Sequence, residues 1–152
     1  MYIFDANVFF TLKNHYRSVF PSIWERLDSL ASDGKLISVR EVYSEIKNDV
    51  SPVTEWAHRH RHIFLNPSDE EFVFMTEIFK HKHFQGLITK GDLNKGRPVA
   101  DPFVIAAARR CSGTVVTQEK LVENGARIPN VCNRFGIHWI NLEQFFLQER
   151  LP

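Results

Sequence analysis

The chain has 152 residues, 43% of them apolar and 13 of them phenylalanine, enough for a single domain (1–152) to bury its own core without staples. Nineteen Lys and Arg against 18 Asp and Glu leave a net charge of +1, a balance that argues neither for nor against a polyanionic partner and leaves local patches to decide. Cys111 and Cys132, each among apolar residues, argue against a disulfide framework. No apolar run approaches the roughly 18 residues that span a bilayer, and no secretory pattern opens the chain, so a cytoplasmic protein with no membrane partner is expected.

Tyr2-Ile3-Phe4 reads as a short buried strand that ends in an acid, Asp5, followed by Ala6 and Asn7. Pro21 to Ser32 carries apolar residues at Ile23, Trp24, Leu27, Leu30 and Ala31, the spacing of one helical face, with Gly34 as its stop. Leu36 to Val39 predicts a second strand and Arg40 to Asn48 a second helix. Pro52 to His60 predicts another helix and His62 to Leu65 a short extended piece. Ser68 caps a further helix, with Asp69, Glu70 and Glu71 in its first turn and Phe72, Met75, Ile78 and Phe79 expected to face inward. Gln85 to Arg97 reads as a loop, with glycines among Lys90, Lys95 and Arg97. Asp101-Pro102 opens an apolar helix through Ala108, Thr114 to Thr117 makes a strand, Ile137 to Ile140 a last strand, and Glu143 to Arg150 a last helix. Such alternation predicts an α/β fold built on a parallel sheet, whose ligands collect outside the carboxyl ends of the strands.

Four acids sit at strand ends or helix starts, and each also has an ordinary explanation. Asp5 or Asn7 accepts backbone N–H groups where the chain turns, or Asp5 binds a cation. Glu45, beside Ile46, either pairs with Lys47 or Arg40 in solvent or reaches inward from the border of the apolar face. Asp101 before Pro102 has the form of a helix N-cap, a role compatible with ligation by its second oxygen. Glu119 follows a strand by two residues, with Thr117 beside it. Gathered on one sheet edge, these carboxylates would repel one another unless a cation sat among them. An all-oxygen donor set points to Mg2+ or Mn2+ rather than zinc.

The ordered set Tyr2-Ile3-Phe4-Asp5-Ala6-Asn7, Glu45, Ala100-Asp101-Pro102-Phe103-Val104-Ile105-Ala106-Ala107-Ala108 and Val115-Val116-Thr117-Gln118-Glu119 resembles the PIN-domain nucleases over almost the whole chain. Within that superfamily it is most similar to a group catalogued as a domain of unknown function, whose members resemble VapC-type toxins of toxin–antitoxin pairs. The resemblance implies a three-layer α/β/α fold with a central, mostly parallel sheet. It further implies a metal-dependent endoribonuclease that acts as the toxin of a type II pair, restrained by an antitoxin protein, with homodimers usual among relatives. Asp5, Glu45, Asp101 and Glu119 would then bind Mg2+ or Mn2+, with Asn7 and Thr117 orienting carboxylates or water. The family often has Asp where this chain has Glu119.

An acidic pocket repels a phosphate backbone, so basic residues should rim it. Lys90, Lys95 and Arg97 are the candidates for RNA, followed by Arg109 and Arg110; the run His58-Arg59-His60-Arg61-His62, with Lys80-His81-Lys82-His83, is a second cationic patch, and either patch also reads as solvated surface charge. Trp24, Trp56 and Trp139 either stack on bases or fill the core, the latter fitting their apolar positions. Two other readings compete. An aspartate phosphatase would want a second acid where Asn7 stands, and a PIN-like module that binds RNA or protein without cleaving would follow from a missing fourth ligand.

Overall fold

The computed structural model of the chain describes residues 1–88 and 99–152. Among these, five strands form one sheet: β1 (Tyr2–Phe4), β2 (Leu36–Val39), β3 (Phe64–Leu65), β4 (Thr114–Val116) and β5 (Trp139–Ile140). Their order is β3-β2-β1-β4-β5 and every neighbouring pair is parallel. Ile3 sits between Ile37 and Val115 in register. The strands are rich in β-branched and aromatic residues, and β2 is buried along its whole length, as a strand covered on both faces requires.

The helices are α1 (Ala6–Leu12), α2 (Pro21–Ser32), α3 (Arg40–Ile46), α4 (Pro52–Arg59), α5 (Asp69–Lys80), α6 (Asp101–Cys111), α7 (Ile128–Phe135) and α8 (Leu142–Gln148). The chain steps from β1 outward to β2 and β3, then crosses back to β4 and β5 on the opposite side of β1. Right-handed crossovers running in opposite directions put their helices on opposite faces, giving the three-layer α/β/α arrangement. α6 packs along β1, β2 and β4, and α5 packs on α6. Tyr2 and Phe4 stack edge-on against Phe145 of α8, with ring centroids 4.9 and 5.1 Å away, and Phe4 meets Phe9 of α1 at 5.6 Å.

The α2 bounds agree with the apolar spacing, and Ile23, Trp24, Leu27, Leu30 and Ala31 are all buried. Ser68 caps α5 by accepting the Glu71 N–H. The inward face of α5 differs from expectation: Phe74 is buried and Phe72 is 46% exposed. The reason is Glu71, whose carboxylate is buried against Arg110 of α6 and so rotates the covered face toward residues 71, 74, 75 and 78. Cys132 is buried, Cys111 is partly covered, and both are free thiols. Burial, then the charge of Glu119, pushes the Cys132 thiol up to about 12, leaving it unreactive at neutral pH. Trp24 and Trp56 belong to the core, while Trp139 is half-buried and donates to Asn133 Oδ1 at 2.9 Å. Lys82–Leu87 forms a short 3-10 helix, so Gln85 to Leu87, where the expected loop was to begin, end a helical turn instead. Among the described residues no helix is long and apolar enough to cross a membrane.

Candidate active site

Because the chain runs from β1 to β2 and β3 on one side and then crosses to β4 and β5 on the other, the sheet has its topological switch point between β1 and β4. Open parallel sheets hold their ligands in the crevice beyond the strand ends at such a point. Asp5 follows β1 there and Thr117 follows β4. The backbone fixes both, since the Asp5 N–H donates to Val116 O at 3.1 Å and the Thr117 N–H to Ile140 O at 3.0 Å.

The side chains close into one network. Asp5 Oδ1 accepts the Ala6 N–H at 2.7 Å, which caps α1, and Oδ2 accepts the Thr117 hydroxyl at 3.0 Å. The expected cap is therefore present, but it occupies one oxygen. Thr117 Oγ1 also accepts the Glu119 N–H at 3.1 Å and the Asn7 amide at 3.3 Å. Asn7 Oδ1 accepts the Gln118 N–H at 2.9 Å, so Asn7 ties α1 to the turn after β4.

Asp5 is 3% exposed and Thr117 is fully buried. Burial first, then the charge of Glu119, raises the Asp5 carboxyl from 3.8 to about 6, against the lowering effect of the Ala6 and Thr117 hydrogen bonds. A carboxylate buried beside a second acid rather than a cation is costly in a structure with no functional use for it.

Glu119 is half-buried, and its Oε2 accepts the Ile128 N–H at 2.8 Å at the start of α7. A hollow of about 320 Å³ opens beside it, lined by Gln118, Glu119, Lys120, Trp139 and Asn141 among others. Asp101 is the first residue of α6, one place past the cap residue Ala100, and is partly exposed. Since α6 leads into a parallel strand, it runs antiparallel to the sheet and starts on the strand carboxyl edge, where Asp5 also lies. Glu45 is exposed in the last turn of α3.

The sequence reading missed two residues. Glu41, in the first turn of α3, is 5% exposed; its Oε1 accepts from Arg40 Nε at 2.9 Å, while its Oε2 is buried with no hydrogen-bond partner among the described residues. It lies just past the end of β2, the strand beside β1. Its signal was weak, because an acid in a helix's first turn ordinarily serves the helix dipole at the surface. Gln118 bridges the site to α8 by accepting the Leu142 N–H at 3.1 Å.

Of the basic residues, Lys90, Lys95 and Arg97 lie outside the described residues. Arg109 and Arg110 do not rim the site. They occupy the last turn of α6, hence the opposite edge of the sheet, where Arg110 pairs with Glu71 and Arg109 lies over Phe74 and donates to Phe135 O.

The acids at this edge offer only oxygen donors: Asp5, buried with Glu119 acting on it, and, past the end of β2, the orphaned Oε2 of Glu41. That chemistry fits a hard divalent cation that keeps part of its water shell. Among the described residues no three His, Cys, Asp or Glu side chains converge to hold an ion by themselves.

A parallel three-layer α/β domain with an acidic centre at its switch point is the class that fold and site define. The chain belongs to the family described as Domain of unknown function (DUF4411), whose model matches residues 2–151. No curated protein and no solved structure matches it.

Proposed function

We propose that this protein is a metal-dependent endoribonuclease that hydrolyses RNA phosphodiester bonds at Asp5. The observation that carries the reading is the buried, ionisable Asp5 at the switch point, its carboxyl pushed up first by burial and then by the charge of Glu119. Asp5 and Glu119 would hold Mg2+ or Mn2+, with Asp101 and Glu41, which begin helices at strand ends, as further carboxylates. The cation would supply neutralisation of the phosphoryl oxygens and a more acidic water. The protein's own part is positional: Thr117 fixes the Asp5 rotamer, and Asn7 locks α1 to the turn that carries Glu119. The resemblance to PIN-domain nucleases supports the same reading and extends it to a toxin held by an antitoxin, acting as a homodimer.

The non-cleaving binding module is the second reading, favoured by the fact that the described acids do not form a group of three. One experiment separates the two. Purified protein is incubated with total cellular RNA in Mg2+, Mn2+ or chelator, beside an Asp5→Asn, Asp101→Asn double variant. Cleavage that needs both metal and the acids establishes the nuclease; silence from folded protein under every condition rejects it and leaves the binding module as the standing reading. Expression that is toxic unless Asp5 is replaced, and relieved by a neighbouring gene product, tests the toxin and antitoxin roles.

A further inference from the structure

A second cavity, of about 610 Å³, lies between α3, α4 and the start of β3, away from the acidic centre. Its walls carry Arg40, Lys47, Arg61 and His58, with Tyr43 and Phe64 as the apolar part. No acid lines it among the described residues; Glu41 reaches only Arg40.

The donors are held in place. The Arg61 guanidinium lies 4.1 Å from the centroid of the Tyr43 ring and donates through Nη1 to the Tyr43 hydroxyl at 3.3 Å. Tyr43 is buried, so the stack fixes Arg61 against α3. The same hydroxyl bonds His58 Nδ1 at 2.7 Å. With the phenol donating to Nδ1, the remaining ring nitrogen, Nε2, is a donor. Arg40 is already met by Glu41, but Lys47 and Arg61 share the hollow with a donor imidazole and no lining acid, an arrangement that an anion relieves, and a stacked, forked guanidinium suits phosphate oxygens in particular.

Arg40 and Asn66 flank β2 and β3 at their carboxyl ends, so the cavity opens on the edge that carries Asp5, two strands away, or about 10 Å. We infer that this cavity binds a backbone phosphate of the RNA strand whose cleaved bond lies at Asp5, through Arg61, Lys47, Arg40 and His58. The inference rests on the nuclease reading for the identity of the strand, but not for the anion chemistry of the cavity.

The test measures binding without cleavage. Asp5→Asn protein in chelator is titrated into a labelled single-stranded RNA decamer across a salt series, alone and with Arg61→Gln or Lys47→Gln added. Loss of one phosphate contact on a single strand lowers the slope of log K against log salt by about 0.7, which is about fivefold in affinity at 0.1 M salt. Arg59→Gln, exposed on α4 outside the cavity, is expected to bind as the parent does. Thermal melts check folding, and Lys47, exposed just past α3, is the variant least able to disturb it. Equal weakening by Arg59→Gln, or parent-like binding by both cavity variants, overturns the inference. Displacement of the RNA by micromolar adenosine triphosphate overturns it in favour of a free-nucleotide site. Cavity-dependent binding by a protein that cleaves nothing upholds the cavity and defeats the nuclease; cleavage with binding untouched by the cavity variants does the reverse.

Discussion

Asp5 carries an electrostatic cost that its two hydrogen bonds only partly offset. Folding raises its carboxyl above the ordinary value, so the folded state prefers it neutral. Well below 3.8 the group is protonated in both states and costs nothing; the penalty grows as pH climbs from 3.8, its unfolded value, to about 6, its folded one, and is complete above that. Asp5→Asn should therefore abolish cleavage and yet stabilise the metal-free protein at pH 7.5 by about 1–2 kcal/mol, after subtracting about 1 kcal/mol for one misfitted amide hydrogen bond. Melts of both proteins in chelator from pH 4 to 7.5 check this, and a stability gap that does not shrink toward pH 4 contradicts it. Thr117→Val tests the partner. It keeps the shape but leaves Asp5 Oδ2 and the Glu119 N–H without their shared hydroxyl, costing about 1–3 kcal/mol. Thr117→Ser should restore both stability and cleavage, an outcome a purely steric role for Thr117 would not give.

At the level of elements, Asp28 of α2 takes one member of the histidine run, His60, out of the cationic patch and into a structural joint. It accepts Trp56 Nε1 at 2.8 Å, His60 Nε2 at 2.9 Å and Arg17 Nη2 at 2.6 Å, so α4 is fastened to α2. His60 also stacks on Trp56 at 4.6 Å. The run is thus divided, with His58 and Arg61 turned to the second cavity and His60 to a structural joint. Burial pushes the Asp28 carboxyl up, but the bonds from Arg17, Trp56 and His60 outweigh it and hold it below the ordinary value. Asp28→Ala strands the indole N–H of a fully buried tryptophan, and urea denaturation should show a loss of about 2 kcal/mol at pH 7. A lowered carboxyl stabilises above its unfolded value and loses that contribution as pH falls through the folded one. The deficit should therefore hold steady from pH 5 to 8 and fade only under stronger acid. The sequence could not announce this joint, because apolar spacing finds Trp56 but says nothing about which acid meets its nitrogen.

For the molecule as a whole, what was legible follows what is local. The five strands declare themselves because each is a buried β-branched or aromatic run, and Asp5 and Thr117 because strand ends are visible in the sequence. α7 carried the same kind of signal, with Ile128, Val131, Cys132 and Phe135 at helical spacing after Arg127 and with Pro129 in its first turn, yet it went unread although α3 and α8, which were read, are shorter. Glu41 and the Tyr43–Arg61 stack were not legible, since both depend on how α3 lies across the sheet edge. That edge is where the sheet's two halves part, and among the described residues it gathers acids at one end of β1 and bases beyond β3. A cation entering the acidic end should relieve the charge there and so couple to global stability. At ten times its dissociation constant, Mn2+ should add about 1.4 kcal/mol, or about 3–6 °C in Tm for a domain of this length. The gain should be lost in Asp5→Asn and retained in Arg61→Gln, because only the first variant alters the acidic end. Calorimetric scans with and without chelator measure it, and an equal shift in Asp5→Asn would place the cation somewhere other than the switch point.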